Sequence, residues 1–211
     1  MTTYAVVSDI HGNLSALTTI WEKLNNLGLT DRIIFNAGDS VAYGNESSEC
    51  IDFLRAHSQI VSVGGNYDFN VAEFPKEAGR FERKWKLERA EKYDALLNAS
   101  SEITDEQRTW LSDLPKLLEF SLDGKSVALC HYSPVGKKVG LGTWTTDEEL
   151  MEVALTCSYD IILTGHTHTP FVRRIGPTLF INPGSVGRSW AEPTFGVLTI
   201  DGEQIAGELM T

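Results

Sequence analysis

Positive charge is scarce in this chain: 18 Lys and Arg stand against 29 Asp and Glu, for a net charge of −11 at pH 7. Such a field repels nucleic acid and anionic membranes, which argues against both as partners. Cysteine is also scarce. Cys50, Cys130 and Cys157 are odd in number and show no CxxC spacing, so the expectation is three reduced thiols in a cytoplasmic protein. No apolar run approaches the roughly 18 residues that span a bilayer. The stretch from Met1 to Val7 carries no basic segment and runs straight into a strand-like sequence, so a signal peptide is not expected. A Gly-rich P-loop and a Gly-x-Ser-x-Gly elbow are both missing, and with them the chemistry of P-loop NTPases and serine hydrolases.

What is present is the composition of a soluble globular protein, 42% hydrophobic and 22% charged over 211 residues. That length suits one well-cored domain, residues 1–211. The apolar run Tyr4–Val7 leads into Ser8-Asp9-Ile10-His11-Gly12. Leu14, Leu17, Ile20, Trp21, Leu24 and Leu27 then recur at helical spacing, with Asn13 placed to cap and Gly28 to stop the helix. Strands are expected at 33–35 and 60–63, with a helix over 47–56 between them. Alternation of this kind argues for a layered α/β domain.

Residues 76–114 change character. Seven of the eighteen basic residues fall within 76–92, interleaved with glutamates at i,i+4 spacing, and a helical insertion is expected there. One helix over 76–98 would carry Phe81, Trp85, Tyr93 and Leu96 on its core face, with Arg89 on the same side. Thr104-x-x-Gln107 and Thr146-x-x-Glu149 read as capping boxes. Strands return at 126–130 and 160–164, and four more are expected near 170–175, 178–182, 194–200 and 203–209.

Five places share one feature. Asp9/His11, Asp39, Asn66, His131 and His166/His168 each follow an apolar strand, and the carboxyl ends of strands are where α/β sheets gather ligands. Four of the five histidines sit there; His57, late in a short helix, does not. Each motif alone is an ordinary turn. Together they give two carboxylates, one amide oxygen and four imidazoles, a thiolate-free set that suits Mn²⁺, Fe or Zn²⁺ (Ni or Co also fit). Bound metal would also bring local positive charge to an otherwise acidic protein.

In order, Asp9-x-His11, Gly38-Asp39, Gly65-Asn66-x-Asp68, His131 and Gly165-His166-Thr167-His168 resemble the motif series of the calcineurin-like metallophosphoesterases, specifically the small bacterial and archaeal phosphodiesterase branch. Asn182-Pro183-Gly184-Ser185 resembles a turn of that branch. The resemblance runs from about residue 4 to 200, apart from the insert. It implies a four-layer α/β/β/α sandwich of two mixed sheets, with the helical insertion at about 76–114. It implies two divalent metal ions, one held by Asp9, His11, Asp39 and His168. Asp39 would bridge to the second, held also by Asn66, His131 and His166. Two such cations, about 3.5–4 Å apart, acidify a shared water toward hydroxide for in-line attack on phosphorus.

The chain departs from the family pattern in two places. A His that assists the leaving group is replaced by Tyr67, which either packs beside the site or marks substrates with acidic leaving groups. A Gly after the fourth motif is replaced by Tyr132. Asn66 would donate to the phosphoryl group as well as ligate, so Asn66 and Tyr67 are the candidate catalytic residues. Arg89 and Arg188 are candidates for substrate binding, and Lys137 and Lys138 are weighed as phosphate contacts against solvated loop lysines. The expected substrate is a small phosphodiester or phosphoanhydride, nucleotides included. A phosphomonoesterase or protein phosphatase on the same site, or a non-enzymatic scaffold of the same fold, are the alternatives.

Overall fold

In the computed structural model, which describes residues 1–136, 140–189 and 192–211, the chain begins with β1 (Thr2–Val7), α1 (Leu14–Asn26), β2 (Ile34–Asn36), α2 (Ser47–Ala56) and β3 (Ile60–Ser62). Three helices follow, α3 (Asn66–Trp85), α4 (Ala90–Glu102) and α5 (Asp105–Asp113). The second half comprises β4 (Leu117–Leu122), β5 (Lys125–Cys130), α6 (Asp147–Cys157), β6 (Ile161–Leu163), β7 (Phe171–Ile175), β8 (Thr178–Asn182), β9 (Phe195–Asp201) and β10 (Gln204–Met210).

Two five-stranded mixed sheets result, ordered β10-β9-β1-β2-β3 and β4-β5-β6-β8-β7. Parallel β1-β2-β3 is flanked by antiparallel β9, and parallel β5-β6-β8 by antiparallel β4 and β7. The two-residue period of the strands explains the layering. Tyr4 and Val6 of β1, Phe35 of β2, Val127 and Leu129 of β5, and Leu179 and Ile181 of β8 meet in one core between the sheets. Their alternating neighbours point the other way. Ala5, Val7 and Ile34 pack against Leu17, Ile20 and Leu24 of α1 and Leu54 of α2. Ala128, Ile162 and Phe180 pack against Leu150, Val153 and Ala154 of α6. The order helices, sheet, sheet, helix is the expected four-layer sandwich. Phe35 is fully buried at the centre, and its truncation to Ala is expected to cost about 3–5 kcal/mol.

The helical insert differs from expectation in two ways. It begins at Asn66, directly after β3, and not at 76. The helix expected over 76–98 is two helices, broken where Arg89 leaves helical geometry with φ −144° and ψ 58°. The apolar residues explain the break. Phe81 and Trp85 of α3 share one cluster with Ala95, Leu96 and Ala99 of α4, together with Val41, Ile51 and Leu111. In a single straight helix Phe81 and Leu96 would stand roughly 22 Å apart along the axis and could not share it.

Strand β4 was not among the expected elements. It pairs with β5 through a turn at Asp123 and Gly124, both with positive φ (48° and 79°), the Asp-Gly signature of a tight hairpin. Both capping boxes form, at Thr104/Gln107 and Thr146/Glu149. His57 caps the end of α2, stacks on Phe53 and lies tilted against Trp21. Lys137 and Lys138 lie outside the described residues. Among the described residues no helix is long and apolar enough to cross a membrane.

Candidate metal centre

The ends of β1, β2, β3, β5 and β6 bring their polar residues to one rim, and the backbone there is unusual. Asp9, His11, Asp39, His166 and His168 all have positive φ, at 55°, 52°, 55°, 71° and 57°. Left-handed geometry costs a non-glycine residue on the order of 1–3 kcal/mol and persists only where the surroundings enforce it. Here a mesh of bonds does so. The Asp9 N–H donates to the Gly38 carbonyl at 2.9 Å and the His11 N–H to the Asp39 carbonyl at 3.0 Å. The His166 N–H donates to Asp9 Oδ2 at 2.9 Å. The Asn182-Pro-Gly-Ser turn belongs to this mesh: Asn182 Nδ2 donates to the Gly165 carbonyl at 2.8 Å and Ser185 Oγ to the Asp9 carbonyl at 2.8 Å.

The side chains form two groups, Asp9/His11/His168 and Asp39/His131/His166, each with ligand atoms mutually within 4.8 Å. In the first, His168 Nε2 lies 3.1 Å from Asp9 Oδ1 and 3.0 Å from His11 Nε2. In the second, His131 Nε2 lies 3.1 Å from Asp39 Oδ2. His131 Nδ1 donates to the Ala37 carbonyl at 2.7 Å, which leaves Nε2 as the lone-pair nitrogen facing the site. Asp9 Oδ1 and His131 Nε2 are buried without a hydrogen-bond partner among the described residues. When His131 is neutral with Nδ1 carrying its proton, Nε2 and Asp39 Oδ2 face each other as lone pairs at 3.1 Å, so a proton or a metal cation is needed between them. Buried orphan acceptors are costly unless something electropositive satisfies them. An oxygen and nitrogen donor set in two clusters fits divalent cations.

The charges agree with that fit. Burial would raise the Asp9 carboxyl, but the imidazoles of His11 and His168 that face it hold it far below the ordinary carboxylate range. Burial likewise opposes ionisation of Asp39, and the neighbouring His131 overrides it, so the group is lowered. Burial disfavours the His131 cation, yet the facing Asp39 raises it to about 9. Burial and then His131 lower His166 to about 4.

Asn66 is the first residue of α3, so the positive end of that helix points at the rim. Tyr132 Oη donates to Asn66 Oδ1 at 2.9 Å, and its ring lies 4.4 Å from His166 and 5.1 Å from His131. Tyr132, standing where the family has Gly, thus packs against two imidazoles of the site. The Tyr67 N–H donates to Asp39 Oδ1 at 2.7 Å, while its hydroxyl shares a hydrogen bond with Tyr43. Burial, then that bond, pushes the Tyr67 phenol well above its ordinary range. Asp68 is fully buried, and its carboxylate accepts the N–H groups of Asp39, Ser40 and Gly65, each at 2.8 Å. Gly65 has no room for a side chain: a Cβ would stand 2.1 Å from Asp39 Oδ1.

A cleft of about 450 Å³ opens above these groups, lined by Asp39, Asn66, His166 and His168 on its floor. Both arginines singled out in the sequence reach it. Arg89 is exposed at the mouth, and Arg188 lies 3.6 Å over the Tyr43 ring and pairs with Glu91 at 3.0 Å. Lys92 and Tyr43 line it too, and sequence reasoning missed both. The spacing Arg89–Lys92, one helical turn, was the available signal for Lys92. Tyr43 carried none.

The model of the Calcineurin-like phosphoesterase superfamily domain matches residues 3–203, and the chain belongs to that family. It is a metal-dependent phosphoesterase. An uncharacterized protein of Methanocaldococcus jannaschii is 32% identical over 202 residues, covering 87% of this chain and 76% of its own. The crystal structure of a hypothetical protein from Pyrococcus horikoshii OT3 matches with a TM-score of 0.82 at 23% identity, over 99% of this chain and 87% of that one. A metallophosphoesterase from Sphaerobacter thermophilus matches at 0.73 and 20% identity, over 100% and 89%. At these identities the two structures speak to the fold.

Proposed function

We propose that the rim holds two divalent ions, Mn²⁺ being a suitable pair, and hydrolyses phosphodiester or phosphoanhydride bonds in small molecules. Asp9, His11 and His168 would hold one ion, Asn66, His131 and His166 the other, and Asp39 would bridge. The observation that carries this reading is the pair of donor clusters, with Asp9 Oδ1 and His131 Nε2 buried and unpartnered among the described residues. When bound, such ions neutralise phosphoryl charge and acidify a water toward hydroxide.

The chain's own groups do the rest. Tyr132 occupies Asn66 Oδ1 from one side, which orients the amide and leaves Nδ2 to donate to a phosphoryl oxygen. The N-terminus of α3 favours negative charge at the same place. Tyr67 offers a phenol pushed up by burial and tied to Tyr43, a poor proton donor to a leaving group. Substrates whose leaving oxygen carries charge unaided are therefore favoured over alkyl phosphomonoesters. Cys50 and Cys130, buried and with thiols pushed up to about 12, suit a reducing cytoplasm. The test is a panel of an aryl diester, an aryl monoester, cyclic nucleotides, dinucleoside polyphosphates and a phosphopeptide, assayed on metal-reconstituted protein. Turnover confined to the monoester and phosphopeptide would overturn the diester and anhydride reading.

A further inference from the structure

The wall of the cleft beside the α3 N-terminus is more cationic than one phosphoryl group requires. Lys92 Nζ lies 4.8 Å over the Tyr67 ring and 4.5 Å over Trp85. It is partly buried and has no ion-pair partner among the described residues. Arg188 covers Tyr43, whose ring meets Tyr67 edge-on at 5.0 Å. Arg89 stands at the mouth, and the carboxylates among the lining residues are Asp39 on the floor and Glu91 beside Arg188. Glu91 holds Arg188 by a contact at which its own side chain is 76% exposed, so an incoming anion can displace it at little cost. Both wall tyrosines are engaged by a cation and by each other, so this wall presents charge and not a free stacking surface.

A phosphodiester carries one negative charge, which the proposed ions already exceed. Cations held beside Tyr67, where resembling proteins place a leaving-group acid, have no use for such a substrate. They suit a leaving group that is itself anionic. Resting on the two-ion reading above, we propose that Lys92 and Arg188 form a subsite for a second phosphate, so that the bond hydrolysed is a P–O–P anhydride. The water oxygen forms the new P–O bond as the bridge breaks. The bridging oxygen leaves on the second phosphate with the electron pair, and the two protons of the water are divided between the product phosphates and solvent. Lys92 and Arg188 offset the charge gained by the leaving phosphate, which removes the need for an acid at Tyr67. An arginine fork and a lysine ammonium are the two side chains suited to that task.

The experiment compares metal-loaded wild type, Lys92→Gln, Lys92→Arg and Arg188→Gln on inorganic pyrophosphate, ADP and bis(4-nitrophenyl) phosphate. The ratio of kcat/KM on the better diphosphate to that on the diester should fall about tenfold to a hundredfold in both Gln variants, the range of one charged hydrogen bond, and Lys92→Arg should recover most of it. Pyrophosphate against ADP decides whether the second phosphate comes from an inorganic or a nucleoside source. Methylenediphosphonate, titrated calorimetrically, should bind Lys92→Gln about tenfold more weakly than wild type. An unchanged ratio and unchanged phosphonate affinity in both Gln variants overturn the subsite while leaving diester hydrolysis standing. Should the loaded wild type hydrolyse nothing, the two-ion hydrolase reading fails, and the phosphonate titration still decides the subsite.

Discussion

His11 Nε2 and His168 Nε2 face each other at 3.0 Å, and His168 Nε2 is 3.1 Å from Asp9 Oδ1. His11 Nδ1 lies 3.4 Å from the Val41 carbonyl, which only accepts, so the lone pair of His11 is the one turned into the site. Three electron-rich atoms crowded together repel unless a cation or proton lies among them. The same holds for Asp39 and His131. Saturated protein should therefore carry about two transition-metal ions per chain, with chelation abolishing activity and Mn²⁺ restoring it. Elemental analysis giving at most one ion under saturating metal would sink the binuclear proposal.

Asp39 is the group through which the two clusters would communicate. One of its oxygens takes the Tyr67 N–H at 2.7 Å and the other lies 3.1 Å from His131 Nε2. Two dications a few ångströms apart repel strongly, and a bridging carboxylate is what offsets that repulsion. Asp39→Ala should lose both ions together, read by metal content after gel filtration. Retention of two tightly held ions would reassign the bridge.

Without metal, the His131–Asp39 pair should make stability depend on pH. His131 is raised from an ordinary value near 6.5 to about 9, so its contribution is fully present below pH 6.5 and lost as pH rises through 9. Asp39 is lowered, so its share is present above the ordinary carboxylate range and lost in acid. Thermal melts of chelated protein should show Tm falling between pH 6.5 and 9. The metal-loaded protein, in which His131 would have to be neutral to ligate, should not show that fall. Parallel profiles with and without metal would contradict the pairing.

Asp68 offers a test of the scaffold beneath the rim. Its carboxylate gathers three N–H groups from two loops, and Asp68→Ala would leave all three buried and unpaired. At about 1–3 kcal/mol for each unsatisfied group, the variant should lose several kcal/mol in denaturant melts. It should also bind metal more weakly, because the loop bearing Asp39 is no longer fixed. A loss below about 1 kcal/mol would mean that water replaces the carboxylate there.

Much of this was legible in the sequence because it depends on short-range pattern. The apolar run Tyr4–Val7 marked β1, and the boxes at Thr104 and Thr146 marked where α5 and α6 begin. The polar residues at strand ends could be picked out by type. Left-handed φ at Asp9 and His11 could not, since it is enforced by bonds from residues such as Ser185, distant in the chain. The break before Arg89 lets Phe81 and Leu96 enter one cluster, which helical periodicity cannot foresee. Asp68 was quoted within a motif without its role, because its three partners become neighbours only after β2 and β3 pair. Lys92 read as one of many lysines until the fold laid it over Tyr67.

Tyr67 bears on the choice of substrate most directly. Expulsion of an alkoxide from a phosphomonoester needs a proton near neutral pH. An imidazole with an unperturbed pKa of about 6.5 supplies it, and a phenol near 10 does so far less well. Burial and the bond to Tyr43 push this phenol higher still. Aryl diesters and anhydrides do not need the proton, because their leaving oxygens carry charge unaided. Wild type should therefore prefer them, and Tyr67→His should raise alkyl monoester turnover more than aryl diester turnover. General acid catalysis is worth about 10²–10⁴-fold, so even a partial gain is measurable. Tyr43→Phe serves as the control, since it breaks the hydroxyl pair without adding an acid. Kinetics on matched substrates, after metal content is equalised, decide the matter. A uniform change in both activities, or the same gain in Tyr43→Phe, would make Tyr67 part of the wall and no part of the chemistry.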